Sequence, residues 1–133
     1  MLITTISFPG NCEEAINFYK EAVNAEVKGI HYVRDAPPNS GMDESLPPNF
    51  VMHSEVMISG TLVYMTDGGE KQITGENFGF ALAFDTAEEV TSAFNKLANG
   101  GKIVGELSQQ FWATLCGSVE DRFGVSWHIL TNN

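Results

Sequence analysis

Asn11-Cys12-Glu13-Glu14-Ala15-Ile16-Asn17-Phe18-Tyr19-Lys20-Glu21-Ala22-Val23-Asn24 decides the fold, because its pattern returns 75 positions later as Thr86-Ala87-Glu88-Glu89-Val90-Thr91-Ser92-Ala93-Phe94-Asn95-Lys96-Leu97-Ala98-Asn99. Each stretch opens on a side-chain acceptor with Glu three residues on, Asn11 to Glu14 and Thr86 to Glu89. That spacing satisfies the orphan N–H groups of a helix start in capping-box fashion. Ala15, Phe18, Tyr19 and Ala22 fall at helical spacing, as do Val90, Ala93, Phe94 and Leu97. Each set gives one buried stripe. Asn99-Gly100-Gly101 supplies the left-handed residue that ends the second helix.

Working outward, each helix follows one strand and precedes three. The first half predicts strands over Leu2 to Phe8, Glu26 to Val33, Phe50 to Ile58 and Thr61 to Thr66, with Ser59-Gly60 as a hairpin turn. The second predicts Phe78 to Phe84, Lys102 to Leu107, Trp112 to Val119 and Val125 to Leu130, with Asp121-Arg122-Phe123-Gly124 as the turn. The order is βαβββ twice, an α+β class of two pseudo-symmetric modules. Module one spans 1–67, a polar Gly-rich connector 68–76, and module two 77–133. Each is only about 60 to 70 residues, too small to bury a sheet face well by itself, so the two are expected to act as a single domain. Pro37, Pro38, Pro47 and Pro48 mark Arg34 to Asn49 as an exposed loop, near a pocket mouth if not simply disordered.

Charge excludes several classes of partner. Among 133 residues, 17 are Asp or Glu and 7 are Lys or Arg, a net charge of -10. The basic residues are scattered singly, whereas phosphate backbones need clustered cations, so neither nucleic acid nor an anionic membrane fits. No apolar run approaches the ~20 residues of a membrane span. The opening Met1-Leu2-Ile3-Thr4-Thr5 lacks a basic leader, and two cysteines without C-x-x-C spacing make no disulfide framework, so the expected compartment is the cytoplasm.

The module order resembles the vicinal-oxygen-chelate superfamily, the glyoxalase, bleomycin-resistance and dihydroxybiphenyl dioxygenase group. Within it, Phe8-Pro9-Gly10-Asn11-Cys12-Glu13-Glu14-Ala15-Ile16-Asn17-Phe18-Tyr19, Val51-Met52-His53-Ser54-Glu55, Gln110-Phe111-Trp112-Ala113 and Asp121-Arg122-Phe123-Gly124-Val125-Ser126-Trp127 are similar to the PhnB-like branch over nearly the whole chain. The resemblance implies paired modules curling into a cupped mixed sheet around a cavity, helices on the outer face, and a homodimer. Some relatives carry a 3-demethylubiquinone methyltransferase label. Gly68-Gly69 and Gly100-Gly101 form no G-x-G-x-x-G, and the strand order gives no doubly wound sheet, so that label is not adopted.

Metal-using members hold a divalent ion with four side chains, whose positions carry over to Thr4, Tyr64, Gly79 and His128. A catalytic zinc site needs about three His, Cys or carboxylate ligands, and only His128 qualifies. No metal and no cofactor are therefore expected. The matching strand phase lines the cup with Thr4, Ile6 and Phe8, with Leu62, Tyr64 and Thr66, with Gly79, Ala81 and Ala83, and with Ser126, His128 and Leu130. Phe78, Phe80, Leu82, Phe84 and Trp127 then face the helices. Gly79, Ala81 and Ala83 either clear space for a ligand or permit close backbone packing.

His128 and Tyr64 are the candidates for proton transfer or for hydrogen bonding a ligand's oxygens; His128 is otherwise a satisfied structural histidine. Phe111 and Trp112 either stack on a planar ligand or pack in the core. His53 and Glu55 share a strand face, which the sequence assigns neither to the cup nor to solvent. Cys12 and Cys116 lack activating neighbours. The expected function is metal-independent binding of a small, partly apolar molecule by Thr4, Phe8, Tyr64, Thr66, Gly79, Phe111, Trp112 and His128. The alternative is a lyase, isomerase or dioxygenase-type enzyme using a divalent metal or His128 with Tyr64.

Overall fold

A computed structural model describes residues 1–41, 43 and 45–133. The chain runs β1 (Thr4–Phe8), α1 (Cys12–Val23), β2 (Glu26–Tyr32), a 3-10 turn (Val33–Asp35), β3 (Val51–Ile58), β4 (Thr61–Asp67), β5 (Phe80–Ala83), α2 (Ala87–Ala98), β6 (Lys102–Gln110), β7 (Ala113–Glu120) and β8 (Ser126–Thr131). This is the βαβββ order twice over, in two compact units, Met1–Gln72 and Ile73–Asn133. Among the described residues, no helix is long and apolar enough to cross a membrane.

In the first unit the sheet order is β1-β4-β3-β2, with β1 parallel to β4 and the other pairs antiparallel. α1 packs on β3 and β4. It buries Ala15, Ile16, Tyr19, Ala22 and Val23 against Phe8, Val56, Val63 and Met65, each such side chain contributing about 1.5–3 kcal/mol of apolar burial where it is large. Asn11 makes no side-chain cap. The orphan N–H of Cys12 donates instead to Asp67 Oδ1 (3.0 Å), and Val51 N–H donates to Asp67 Oδ2 (2.9 Å), so one buried carboxylate ties the helix start to the β3 start. Asn24, at φ 55°, supplies the left-handed C-cap. Pro37, Pro38, Pro47 and Pro48 are exposed; Met42 and Glu44, within the same loop, lie outside the described residues.

The register corrects the expected phase of β1. Thr4 pairs with Val63, Ile6 with Met65 and Phe8 with Asp67, on the helix-covered face, and Phe8 is buried. Thr5 and Ser7 pair with Tyr64 and Thr66 and occupy the helix-free face. The cause is loop length. Tyr64 answers to His128, and their strand partners Thr5 and Ala81 lie 76 apart although the helices lie 75 apart, so the path from strand to helix is one residue longer in the first unit. A slip of one residue along a strand exchanges its faces.

In the second unit the order is β5-β8-β7-β6, with β5 parallel to β8. α2 packs on β7 and β8, burying Val90, Ala93, Phe94 and Leu97, and its cap is the expected one: Glu89 N–H donates to Thr86 Oγ1 (3.1 Å). Phe80 with Trp127 and Leu82 with Ile129 lie on the helix side, while Ala81 with His128 and Ala83 with Leu130 share the other face. The turn into β8 is held by Asp121, whose Oδ1 accepts from Phe123 N–H (2.9 Å) and Val125 N–H (3.1 Å). Gly124, at φ 85°, takes the left-handed position that this turn requires. Phe78 departs from expectation: β5 begins two residues later, and the Phe78 ring is 63% exposed rather than turned to the helix.

Candidate functional site

The helix-free face of the second sheet carries a histidine held by a neighbouring hydroxyl. Antiparallel register sets Ser118 of β7 opposite His128 of β8, and the hydroxyl lies 3.0 Å from His128 Nδ1. That contact fixes the imidazole plane and commits Nδ1, leaving Nε2 as the nitrogen available to a ligand. Both residues line a cavity of about 540 Å³, together with Gly79, Phe78, Phe80, Lys102 and Glu120. Its size falls within the ~300–1,000 Å³ of small-molecule pockets.

Several residues shape that space. A side chain at Gly79 would meet Ser126, with the carbonyl oxygen 2.9 Å and the Cβ 3.0 Å from the added carbon, so glycine here permits close approach of β5 to β8. Ala81, opposite His128, is exposed and leaves the imidazole uncovered. Ser126 Oγ donates to Gly75 O (3.0 Å), tying the segment ahead of β5 to β8. Phe78 stands edge-on to Phe80 with ring centroids 6.1 Å apart, and Phe80 lies 5.1 Å from Trp127. The three rings run from buried Trp127 to exposed Phe78 beside the cavity.

The remaining expected residues lie elsewhere. Tyr64 and Thr66 occupy the helix-free face of the first unit's sheet, in the company of Thr5, Ser7, His53 and Glu55. Thr4 and Phe8 are on the opposite, helix-covered face, so their expected place beside Tyr64 is corrected. Phe111 and Trp112 form the two-residue turn between β6 and β7, 98% and 51% exposed, with ring centroids 4.8 Å apart. They neither pack in a core nor line the cavity. None of the described residues of the proline-rich loop lines it. Sequence reasoning missed Ser118 and Phe78. The first was legible only through its register with His128, and the second was hidden by the assumption that β5 starts at Phe78.

His53 and Glu55 fall on the Tyr64 face, which resolves the orientation that alternation along β3 left open. His53 Nε2 lies 3.6 Å from Glu55 Oε1, the His53 and Tyr64 rings meet edge-on at 4.6 Å, and His31 lies parallel to His53 at 6.1 Å.

The metal site of the resemblance does not fit these residues. Register sets Thr5, not the expected Thr4, beside Tyr64 in one unit, and Ala81, not the expected Gly79, beside His128 in the other. Among the described residues no group of three or more His, Cys, Asp or Glu is placed to hold an ion. Neither cysteine offers a nucleophile by geometry: both are buried and free. Burial, then the charges of Asp67 and Glu13, push the Cys12 thiol up to about 12. The Tyr32 phenol is raised as well, first by its hydrogen bond to Glu13 and then by burial, with Arg34 over its ring at 3.8 Å acting in the opposite sense.

Comparison with known proteins places this geometry. Residues 1–130 match the family model described as 3-demethylubiquinone-9 3-methyltransferase. The protein YjdN of Escherichia coli is 32% identical, over 93% of this chain and 90% of that protein. Among solved structures, a PhnB protein of Bacillus cereus, described as a putative 3-demethylubiquinone-9 3-methyltransferase, aligns with TM-score 0.76 at 23% identity over 98% of both chains. A Pseudomonas aeruginosa protein aligns with TM-score 0.84 at 24% identity, over 99% of this chain and 97% of that one. The fosfomycin resistance protein FosX of Listeria monocytogenes aligns with TM-score 0.68 at 16% identity, over 100% of this chain and 93% of that one. At these identities the structural likenesses show the fold, while the family model and YjdN show the family. The chain belongs to the 3-demethylubiquinone-9 3-methyltransferase family.

Proposed function

We propose that this protein binds a small, partly apolar molecule without a resident metal, and that the cavity on the helix-free face of the second sheet is where the molecule sits. The observation that supports this most is an oriented His128, held through Nδ1 by Ser118, lining with exposed Phe78 a space of about 540 Å³. A planar, oxygen-bearing molecule stacks on exposed Phe78 and meets His128 Nε2 with its oxygen. Gly79 serves by letting the two strands close behind it. Assembly as a homodimer belongs to the same proposal.

The family's description names a methyl transfer. Each four-stranded sheet here contains a single parallel pair, β1 with β4 or β5 with β8, and no run of parallel strands of the kind that builds a doubly wound nucleotide fold. Binding without group transfer is the reading that suits this arrangement.

Calorimetric titration with naphthol, a planar oxygen-bearing probe, tests the proposal. Binding to the wild type is expected, and His128→Ala should weaken it by about 1–3 kcal/mol, the usual effect of leaving a buried polar partner unpaired. If His128→Ala binds naphthol as tightly as wild type but unfolds at lower temperature, His128 is a structural histidine and the site assignment is wrong.

A further inference from the structure

The helix-free face of the first sheet holds an arrangement that the cavity does not use. Register places Glu55 directly opposite Tyr64 across β3 and β4, and His31 opposite His53 across β2 and β3. The His53 and Tyr64 rings stand at 73° to one another with centroids 4.6 Å apart, an edge-to-face contact. Glu55 sits beside that contact, its side chain 45% exposed, with His53 Nε2 3.6 Å from its Oε1. That distance exceeds a hydrogen bond, so the carboxylate's lone pairs are not spent on the ring.

The cations of the neighbourhood are occupied elsewhere. Lys28 pairs with Glu26 at 3.0 Å, and the Arg34 guanidinium lies over Tyr32 at 3.8 Å. Among the described residues no Lys or Arg is salt-bridged to Glu55. A carboxylate without a Lys or Arg partner, set beside the Tyr64 ring, is complementary to an organic ammonium group: the phenol ring attracts the charge through its quadrupole and the carboxylate through its full charge. A net charge of -10 raises the local concentration of cations further.

We propose that Glu55, Tyr64 and His53 form a binding site for an organic ammonium group. The site uses none of the residues that line the cavity in the second unit, so it stands or falls apart from the function proposed above.

Choline and dimethylbutanol, in which carbon replaces the ammonium nitrogen, separate charge recognition from apolar contact. Titration of the whole chain, followed through the ring resonances of His53 and Tyr64, should show choline binding at least about tenfold more tightly than dimethylbutanol. Glu55→Gln and Tyr64→Leu should each weaken choline binding at least threefold, on the order of an exposed cation–π contact, while Tyr64→Phe keeps it. Glu21→Gln, which removes one negative charge from an exposed position on α1, should leave it unchanged. Should Tyr64→Leu fail to fold, Glu55→Gln against Glu21→Gln carries the test. The proposal is overturned if choline does not shift the His53 and Tyr64 resonances, if dimethylbutanol binds as tightly, or if Glu55→Gln behaves as Glu21→Gln does.

Discussion

The indole Nε1 of Trp127 donates to Asp121 Oδ2 at 2.9 Å, both side chains being buried. Through its other oxygen the same carboxylate accepts two backbone N–H groups of the turn, those of Phe123 and Val125. One side chain thus fixes the turn and pins the ring on which Phe80 rests. Replacing Asp121 by Ala strands three donors, two of them buried and that of Val125 half-buried. At about 1–3 kcal/mol for each unsatisfied group, with partial relaxation, the loss should be about 3 kcal/mol in urea unfolding. Trp127→Phe should cost less, and in the double mutant the two effects should add to less than their sum. Strict additivity would show that the pair does not act as a unit.

Gly117 of β7 faces α2. A Cβ there would lie 2.7 Å from Phe94 Cε2 and 3.0 Å from Leu107 Cδ2, closer than packed carbons approach. Gly117→Ala is expected to destabilise by about 1–3 kcal/mol through overpacking. Gly105→Ala on the neighbouring strand meets only Ser118, at 3.9 Å, and should stay within about 0.5 kcal/mol of wild type. Thermal unfolding of the two variants side by side measures the difference, and equal effects would remove the steric argument.

Cys12 makes stability depend on alkaline pH. Its folded thiol is pushed from 9.0 up to about 12, so the folded state holds a proton that the unfolded chain releases. The stabilisation is fully present below about pH 8.5 and declines as pH rises from there toward 12, by up to about 1.4 kcal/mol per pH unit. Tyrosines and lysines titrate in the same range, so the quantity to measure is the difference between wild type and Cys12→Ala. The gap between their unfolding free energies should narrow as pH rises, and parallel curves would contradict the shift. Native Cys12 should also resist alkylation until the chain is unfolded.

The donor set forecasts the metal content. After dialysis against buffer without chelator, elemental analysis should find well under one equivalent of zinc, nickel, manganese or iron per chain, because His128 alone among the carried-over positions is a good ligand. One equivalent that survives dialysis and is lost in His128→Ala would overturn metal-independent binding.

Much of this architecture was legible from two capped helices of matching pattern. Helical periodicity is dense in information, with several apolar positions and a cap for each helix, and it brought the strands before and after it into order. The strand phase was legible where the count from helix to strand held, so Ala81 and His128 fell on one face as expected. It failed at Thr4 and Phe8, because Pro9-Gly10-Asn11 adds a residue that no pattern within β1 reveals. Trp112 read as the first residue of a strand, yet a two-residue hairpin turn claimed it together with Phe111. Ser118 and Glu55 gained their meaning from cross-strand register, a long-range relation invisible to local periodicity.

The two buried aspartates bear on what interchange the halves would tolerate. Asp67 ties α1 to β3 in the first unit, whereas Asp121 ties a turn to an indole in the second, and the two do not occupy equivalent places. Tyr64 answers to His128, so Asp67 answers to Thr131 rather than to Asp121. A tandem of two first halves would keep the backbone pattern and lose the carboxylate that holds the turn into its β8. The likeness between the halves is therefore one of chain path, and each half anchors that path with a polar fastening of its own.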